Sequence, residues 1–245
     1  MCMRKCIFSF AVVLGTIVTS FAQNVGLSFS YFVPRNGSFS TPISPFSLRG
    51  VGFSFNDFLA VQTGATLYRM AGLSVIDLPL KSNDPFTGPN FTVFIPAELV
   101  FQIKGKSTQL DFKGGGFFFY GFGQNLNSGN IDKAIRGYKQ WDVANSNLTF
   151  ENNPGFGTQF GIEFTFYPAS AFGISLETNY LMGTSKMPMK GTISGGTMNG
   201  TISSESVNYS DAKVDFTGFE FSIGVILTGN GGGSAPRKSP VRRRR

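Results

Sequence analysis

The sequence predicts an all-β protein, an eight-stranded antiparallel up-and-down transmembrane β-barrel. Three observations predict this fold: an N-terminal export signal, eight runs of alternating apolar and polar residues, and connections that are short and long in turn. Most runs reach the roughly 9–11 residues that a tilted strand needs to cross a bilayer. We expect a signal peptide at residues 1–22, the outer-membrane barrel at 23–227 and a flexible basic tail at 228–245.

The expected signal peptide begins with two cations and continues with an apolar stretch. Arg4 and Lys5 precede this stretch, and small residues at positions 20 and 22 favour cleavage before Gln23. A membrane anchor is the alternative. It is disfavoured because the apolar stretch is short and ends at a good cleavage site.

Composition limits the chemistry of the exported chain. The sequence has no histidine, and both cysteines, Cys2 and Cys6, lie in the signal segment. The commonest general base and metal ligand are therefore missing, as are thiols and disulfides. We expect no metal, no cofactor and no catalytic residue. Of the 21 cations, two lie in the signal segment and six in the tail, so the body is near neutral against 14 anions, and no nucleic-acid partner is expected.

Eight runs with a period of two are the candidate strands, because this period places alternate side chains on opposite faces. They are residues 25–33, 46–55, 59–68, 91–104, 109–122, 156–167, 172–182 and 214–227. Pro96 removes a ladder donor and predicts a bulge or distortion. In the last run the alternation changes phase near Thr217 and Gly218. This change predicts a bulge, or a strand segment that stands above the membrane.

The connections alternate in length along the chain. Short turns contain Asn56-Asp57, Gly105-Lys106 and Pro168-Ala169-Ser170, whereas the long connections are about 34–45, 69–90, 123–155 and 183–213. Tight periplasmic turns and long extracellular loops are characteristic of outer-membrane barrels. A soluble β-sandwich can also alternate, but it has no reason to confine every long loop to one end. An even strand number predicts that both termini are periplasmic, in a Gram-negative bacterium.

The alternation assigns side chains to two faces. The outward positions form an apolar band facing lipid, and aromatic residues near strand ends are expected to form interfacial girdles. The expected girdle residues include Phe32, Tyr68, Tyr120, Phe122, Tyr167 and Tyr180. The inward positions are mostly Gly, Ser, Thr, Gln and Glu, which suits a narrow barrel.

Ionisable residues with inward parity predict a polar network in the lumen. The acidic members are Glu98, Asp111, Glu163, Glu177 and Glu220, and the others are Lys104, Lys113 and amides such as Gln159. One interpretation is a catalytic carboxylate pair, Glu163 and Glu177. The other is a set of braces inside a barrel that its own side chains fill. Because acids outnumber lysines, we expect trapped water, a protonated acid or a cation from a loop.

The long loops are the expected contact regions for a surface partner or glycan. The third loop holds the single tryptophan, Trp141, together with Tyr138, in a stretch that could form a short helix. These two side chains either contact a partner or fold down onto the barrel rim. The fourth loop has a Gly/Thr/Ser-rich tract that could extend a hairpin outward.

The tail combines a flexible Gly/Pro-containing linker with a cationic cluster. Its cations are Arg237, Lys238, Arg242, Arg243, Arg244 and Arg245. They could bind an anionic surface or an acidic periplasmic protein partner by electrostatic attraction. The alternative is a disordered tail without a partner.

Three stretches resemble a known group of proteins: FAQN at the end of the signal, NDFLAVQTGATLY at 56–68 and FTVFIPAELVFQIK at 91–104. They look like the outer-membrane β-barrel proteins of Bacteroidetes, which include PorT-like and OmpX-like small barrels. The resemblance covers essentially the whole mature chain and implies the barrel fold. It transfers no functional residues, and the basic tail departs from the family pattern.

Three functions from different classes remain open. The first is a non-enzymatic barrel among outer-membrane lipid and lipopolysaccharide, acting in envelope integrity or surface interaction. The second is an outer-membrane subunit of a type IX secretion or gliding machine that docks periplasmic partners. The third is a carrier or enzyme using the lumen carboxylates. It is disfavoured because outer-membrane lipid-A-modifying enzymes and surface proteases rely on a histidine that this chain lacks.

Overall fold

Antiparallel strands close into a barrel in the computed structural model, which describes residues 24–36 and 43–228. The strands are β1 (Asn24–Pro34), β2 (Ile43–Ser54), β3 (Leu59–Met70), β4 (Val75–Ile76), β5 (Asn90–Lys104), β6 (Thr108–Phe122), β7 (Val143–Phe150), β8 (Gly155–Ala169), β9 (Phe172–Lys186), β10 (Met189–Gly196), β11 (Ser203–Tyr209), β12 (Lys213–Asp215) and β13 (Gly218–Thr228). Helix α1 (Ser128–Lys139) lies between β6 and β7.

The barrel wall consists of eight of these strands, in the order β13-β1-β2-β3-β5-β6-β8-β9. Strand β13 closes the barrel because it pairs with β9 on one side and with β1 on the other. The predicted eight-stranded antiparallel barrel is therefore confirmed. The predicted signal peptide lies outside the described residues, as does the tail beyond residue 228.

Two expected irregularities have different outcomes. The β5–β6 register continues through the pair Pro96↔Phe117, so no bulge occurs there. On the other side of β5, the pairing with β3 is interrupted at Ile95 and Pro96, which is the expected distortion. The last run is divided: β12 ends at Asp215, β13 begins at Gly218, and β12 pairs with the loop-side end of β9. The change of phase marks this break, where Phe216 leaves the sheet.

Strand β2 contains an irregularity that the sequence pattern did not reveal. Its register with β3 shifts between Leu48 and Val51, where Gly50 has a φ of +74° that favours glycine. Leu48 and Phe53 both face outward although their numbers differ in parity. The bulge therefore changes the phase of the strand and turns Arg49 into the lumen.

The outer wall carries the apolar band that the alternation predicted. Exposed outward side chains occur on all eight strands, for example Leu27, Phe53, Leu67, Leu99, Phe112, Phe164, Leu176 and Ile223. Two residues expected in the girdles, Phe32 and Tyr68, are instead fully buried. Strand alternation turns both side chains inward, and together with other aromatic rings they make the upper lumen apolar rather than polar.

A cap covers the end of the barrel where the long connections emerge. It comprises α1, the three-stranded sheet β11-β10-β7, and the short strands β4 and β12. The expected helix in the third loop and the expected hairpin in the fourth are both confirmed. One hydrophobic core runs from the upper lumen into the cap, through residues such as Leu73, Phe86, Ile131, Ile135, Met187 and Ile193. Within the described residues, no helix is both long and apolar enough to cross a membrane.

Candidate functional site

The middle of the lumen holds a polar layer in which two cations bridge three carboxylates. The Lys113 Nζ atom lies 2.6 Å from Glu163 Oε2 and 3.0 Å from Glu177 Oε1. The Arg49 Nη2 atom lies 2.5 Å from Glu220 Oε1, and its Nη1 atom lies 4.0 Å from Glu177 Oε1. All five side chains are at least nine-tenths buried, so they form one cross-barrel chain of alternating charge.

Strand register explains why these side chains meet. Glu163 on β8 is directly opposite Glu177 on β9, and on its other side it faces Asp111 on β6. Glu163 and Glu177 are adjacent across the β8–β9 hairpin. However, the ammonium of Lys113 lies between them, and each carboxylate binds it. This arrangement gives the pair a cross-bracing geometry rather than a free acid and a free base.

The remaining predicted lumen residues complete the polar layer. Gln159 donates to Glu98 Oε1 at 2.6 Å, and Gln109 donates to both carboxylate oxygens of Asp111 at 2.9 Å. Asn179 donates to Glu177 at 2.9 Å and to Glu220 at 2.8 Å. Amides therefore bind oxygens of Glu98, Asp111 and Glu220 that the two cations do not reach. At Glu177, the amide of Asn179 shares Oε1 with both cations.

The source of the second cation differs from the expectation. Lys104, which has inward parity, lies exposed at the end of β5. Arg49 takes its place and comes from a wall strand rather than from a loop. Gly50 was the available signal, because a glycine next to an arginine inside an alternating run can mark a bulge.

Above the polar layer lies an aromatic plug, made of Phe32, Tyr68, Phe94, Phe117, Phe119 and Phe216. The ring of Phe216 stacks on Phe32 and on Phe119, with centroids 4.6 Å apart in both cases and interplanar angles of 9° and 22°. The hydroxyl of Tyr68 donates to Glu220, so this residue joins the plug to the polar layer.

Little space remains in the lumen. Below the polar layer, towards the short turns, a cavity of about 20 Å³ borders Arg49, Asp111, Glu163 and Glu177. This volume holds about one water molecule. In the part of the chain that the structure describes, the lumen is therefore a packed interior with no passage for a solute.

The cap places the two predicted contact residues differently. Tyr138, near the end of α1, is 53% exposed. Trp141 is partly buried against the hydrophobic core. Their roles as contact residues stay predictions. The cationic residues of the tail, Arg237, Lys238 and Arg242 to Arg245, lie outside the described residues.

Ion pairs at the cap surface tie α1 and the short strands in place. Lys139 lies 2.7 Å from Glu205 of β11, and this hydrogen bond raises the pKa of Lys139. Lys213 of β12 lies 2.8 Å from Asp77, which raises the pKa of Lys213 in the same way. Burial raises the pKa of Tyr209, and the nearby Glu205 carboxylate raises it further.

No metal centre emerges from the described ranges, 24–36 and 43–228. These residues contain no group of three or more His, Cys, Asp or Glu side chains placed to hold a metal ion. The carboxylates of the polar layer already bind cationic side chains or amides.

Comparison with known proteins places the fold. No protein-family profile matches the sequence, and no curated protein matches it either. Among solved structures, the outer membrane protein OprG from Pseudomonas aeruginosa aligns with a TM-score of 0.50 and 11% identity, over 85% of this chain and 96% of that chain. This likeness shows the fold of a small outer-membrane β-barrel.

Two further solved structures align over similar lengths. The attachment invasion locus protein Ail of Yersinia pestis has a TM-score of 0.37 and 14% identity, over 83% of this chain and 94% of that chain. A major outer membrane protein from Thermus thermophilus has a TM-score of 0.39 and 11% identity, over 84% of this chain and 98% of that chain. The narrower resemblance to Bacteroidetes and PorT-like barrels stays a prediction.

Proposed function

We propose that the protein is a non-enzymatic integral outer-membrane barrel of a Gram-negative bacterium that presents its cap at the cell surface. In this role it contributes to surface interaction or envelope integrity. The main support for this proposal is a contrast between the lumen and the cap. The lumen is filled by the polar layer and the aromatic plug, whereas the cap has its own helix and sheet. A filled lumen favours a scaffold over a conduit.

The outer surface supports a membrane location. Apolar side chains cover the wall, including exposed phenylalanines on most barrel strands. A closed barrel also satisfies its backbone hydrogen bonds between strands, as a lipid environment requires. In water, the same apolar band would be an aggregation surface, because soluble monomers rarely expose large contiguous apolar patches.

The cap supports a role on the outside. The outward face of its sheet carries small polar residues such as Asn145, Asn147, Thr192, Ser194 and Ser206. The inward face packs on α1, whose buried residues are Ile131, Ala134 and Ile135. A folded element with a solvated outer face is suited to contact partners above the membrane.

Surface labelling tests the proposal. The chain has no cysteine beyond position 6, so a single introduced cysteine in the barrel is readily distinguished. Ser206→Cys places a thiol on the exposed cap, and Asp57→Cys places one in a short turn. A membrane-impermeant maleimide added to intact cells should label the first variant and not the second, with the unmodified protein as control.

The same cells also provide a test of the membrane location. The protein should require detergent for extraction and should migrate differently on gels before and after heating. Labelling of the Asp57→Cys variant alone would reverse the orientation. Solubility without detergent would contradict the membrane role itself.

A further inference from the structure

A groove on the cap surface separates α1 from the segment at residues 79–84. It is an open cavity of about 740 Å³ that borders Lys81, Ser82, Asn83, Lys133, Gly137 and Tyr138. This volume lies within the roughly 300–1,000 Å³ of sites that bind small molecules. The groove is separate from the lumen cavity and shares no residue with it.

Contacts on both sides hold the groove open. Leu80 is 5% exposed and anchors the segment in the hydrophobic core. Next to it, Lys133 Nζ lies 2.8 Å from Asp84 Oδ2, and Asn130 Nδ2 donates to the Pro85 carbonyl at 2.8 Å. Two contacts join the segment to α1 and Leu80 joins it to the core, so both sides of the groove are held in place in the free protein.

Gly137, like Gly129 of the same helix, is not required by the protein's own packing. It lies in the last turn of α1, and glycine is among the least favourable helix residues. A Cβ atom at this position would meet nothing within 4 Å, and the φ of Gly137 is not positive. Neither crowding nor backbone conformation requires a glycine here. Because glycine has no side chain, it would allow a ligand in the groove to lie directly against the helix backbone.

The groove offers a mixture of charged, polar and aromatic groups. Lys81 forms no ion pair with any residue of the described ranges, whereas Lys133 is paired with Asp84. The lining therefore carries one excess positive charge. Tyr138 presents an amphipathic ring, and Ser82 and Asn83 offer hydroxyl and amide groups. A ring with hydroxyls and one negative group matches all of these features.

We infer that the groove binds an acidic saccharide, with Gly137 and Tyr138 forming a platform beneath a sugar ring and Lys81 holding its carboxylate. The inference rests on the proposed function, because the groove meets external saccharides only if the cap faces outward. Binding by the purified protein does not depend on that orientation, so the two proposals can fail separately.

Calorimetry on the full chain in phospholipid nanodiscs tests the inference. The probe is tri-galacturonate, and its fully methyl-esterified form is the matched neutral control. The acid should bind, and the ester should bind about two- to fivefold more weakly, as expected when one exposed ion pair is lost. Equal affinity for acid and ester, or no binding of either, would overturn the inference.

Variants of the residues that line the groove test whether the saccharide binds there. Gly137→Leu should abolish binding because its side chain fills the platform. Gly129→Ala, which adds a methyl group elsewhere on α1 with only an ordinary contact to Asn127, should bind like the unmodified protein. Tyr138→Phe should retain binding that Tyr138→Ala loses, and Lys81→Gln should remove the preference for the acid. Unchanged binding by Gly137→Leu would place the saccharide elsewhere and refute the site.

A second arm distinguishes the source of the saccharide. Nanodiscs containing lipopolysaccharide should weaken tri-galacturonate binding if the acidic sugars of the same membrane occupy the groove. Unchanged affinity in these discs would assign the groove to free or foreign polysaccharide. If lipopolysaccharide competes, the competition should be absent in the Gly137→Leu variant. If it does not compete, the Gly137→Leu variant should still fail to bind tri-galacturonate.

Discussion

The two halves of the lumen are built from the same strands but are stabilised in opposite ways. On β6, Lys113 lies in the polar layer, and Phe117, two inward positions further along, lies in the aromatic plug. On β9, Glu177 likewise lies in the polar layer, and Leu181, two inward positions further along, lies in the hydrophobic core. The polar half depends on specific partners, whereas the aromatic half depends on filled volume. One narrow barrel therefore combines a polar layer that is stabilised by specific partners with an aromatic layer that is stabilised by close packing.

Removing a partner from the polar half should have the largest effect. Lys113→Met leaves Glu163 and Glu177 buried without their shared ammonium. Loss of one member of a buried ion pair typically costs about 3–5 kcal/mol. We expect a loss of about 4 kcal/mol in the free energy of unfolding, measured by urea titration in lipid vesicles.

The control for this variant is Lys104→Met, at the exposed end of β5, which should change stability by less than about 1 kcal/mol. If the two lysine variants were equally stable, the polar layer would not be the specific, partner-dependent half. The two halves of the lumen would then not differ in the way they are stabilised.

Removing volume from the aromatic half should have the second effect. Phe216→Ala leaves a cavity between Phe32 and Phe119, with an expected cost of about 3 kcal/mol. The control, Phe219→Ala, removes a ring that is 50% exposed on the outer wall and should cost less. Planar-bilayer recordings of Phe216→Ala should still show no added conductance, because the polar layer remains in place below.

A smaller effect should follow from adding volume to the aromatic half. A Cβ atom at Gly157 would overlap the ring of Phe117 and the carbonyl oxygen of Met182. Gly157→Ala should therefore cost about 2 kcal/mol through overpacking. Gly116→Ala is the matched control on the neighbouring strand, where the nearest atom is 3.5 Å away. Equal stability of the two alanine variants would contradict a tightly packed plug.

The smallest effect concerns the cap at high pH. The pKa values of Lys139 and Tyr209 are both raised in the folded protein, so the folded state binds more protons than the unfolded one at alkaline pH. Their contribution is present below the unfolded values of about 10 and is lost as the pH rises through the folded values. The protection factors of α1 amides, which are corrected for base-catalysed intrinsic exchange, should therefore fall above about pH 10, and Glu205→Gln should reduce that fall.

The sequence predicted most of the barrel wall because strand alternation reflects a simple division between lipid and lumen. Glu163 and Glu177 could be paired from the sequence, since a tight turn fixes the register of their hairpin. Arg49 was not placed, because the bulge at Gly50 changes the phase of β2, and a glycine inside a run only sometimes marks a bulge. The change of phase marked the break that contains Phe216, but it did not show that this ring packs inside the lumen.

The aromatic plug shows a second limit of sequence reasoning. Phe32 and Tyr68 resemble girdle residues when only their positions near strand ends are considered. Strand alternation alone turns them inward, opposite to Tyr31 and Leu67. What the sequence does not show is the apolar partner that buries them, Phe216, which lies far away in the chain. The groove over Gly137 depends in the same way on a segment from another loop.

The pairing of β1 with β13 has a consequence for how the chain is assembled. Ser30 and Ser222 hydrogen-bond across this seam at 2.8 Å, although 192 positions separate them in the chain. Until the final strand arrives, the first and last edges expose unpaired backbone groups that lipid cannot satisfy. The barrel is therefore complete only when β13 meets β1, so closing this seam depends on the two ends of the described chain coming together.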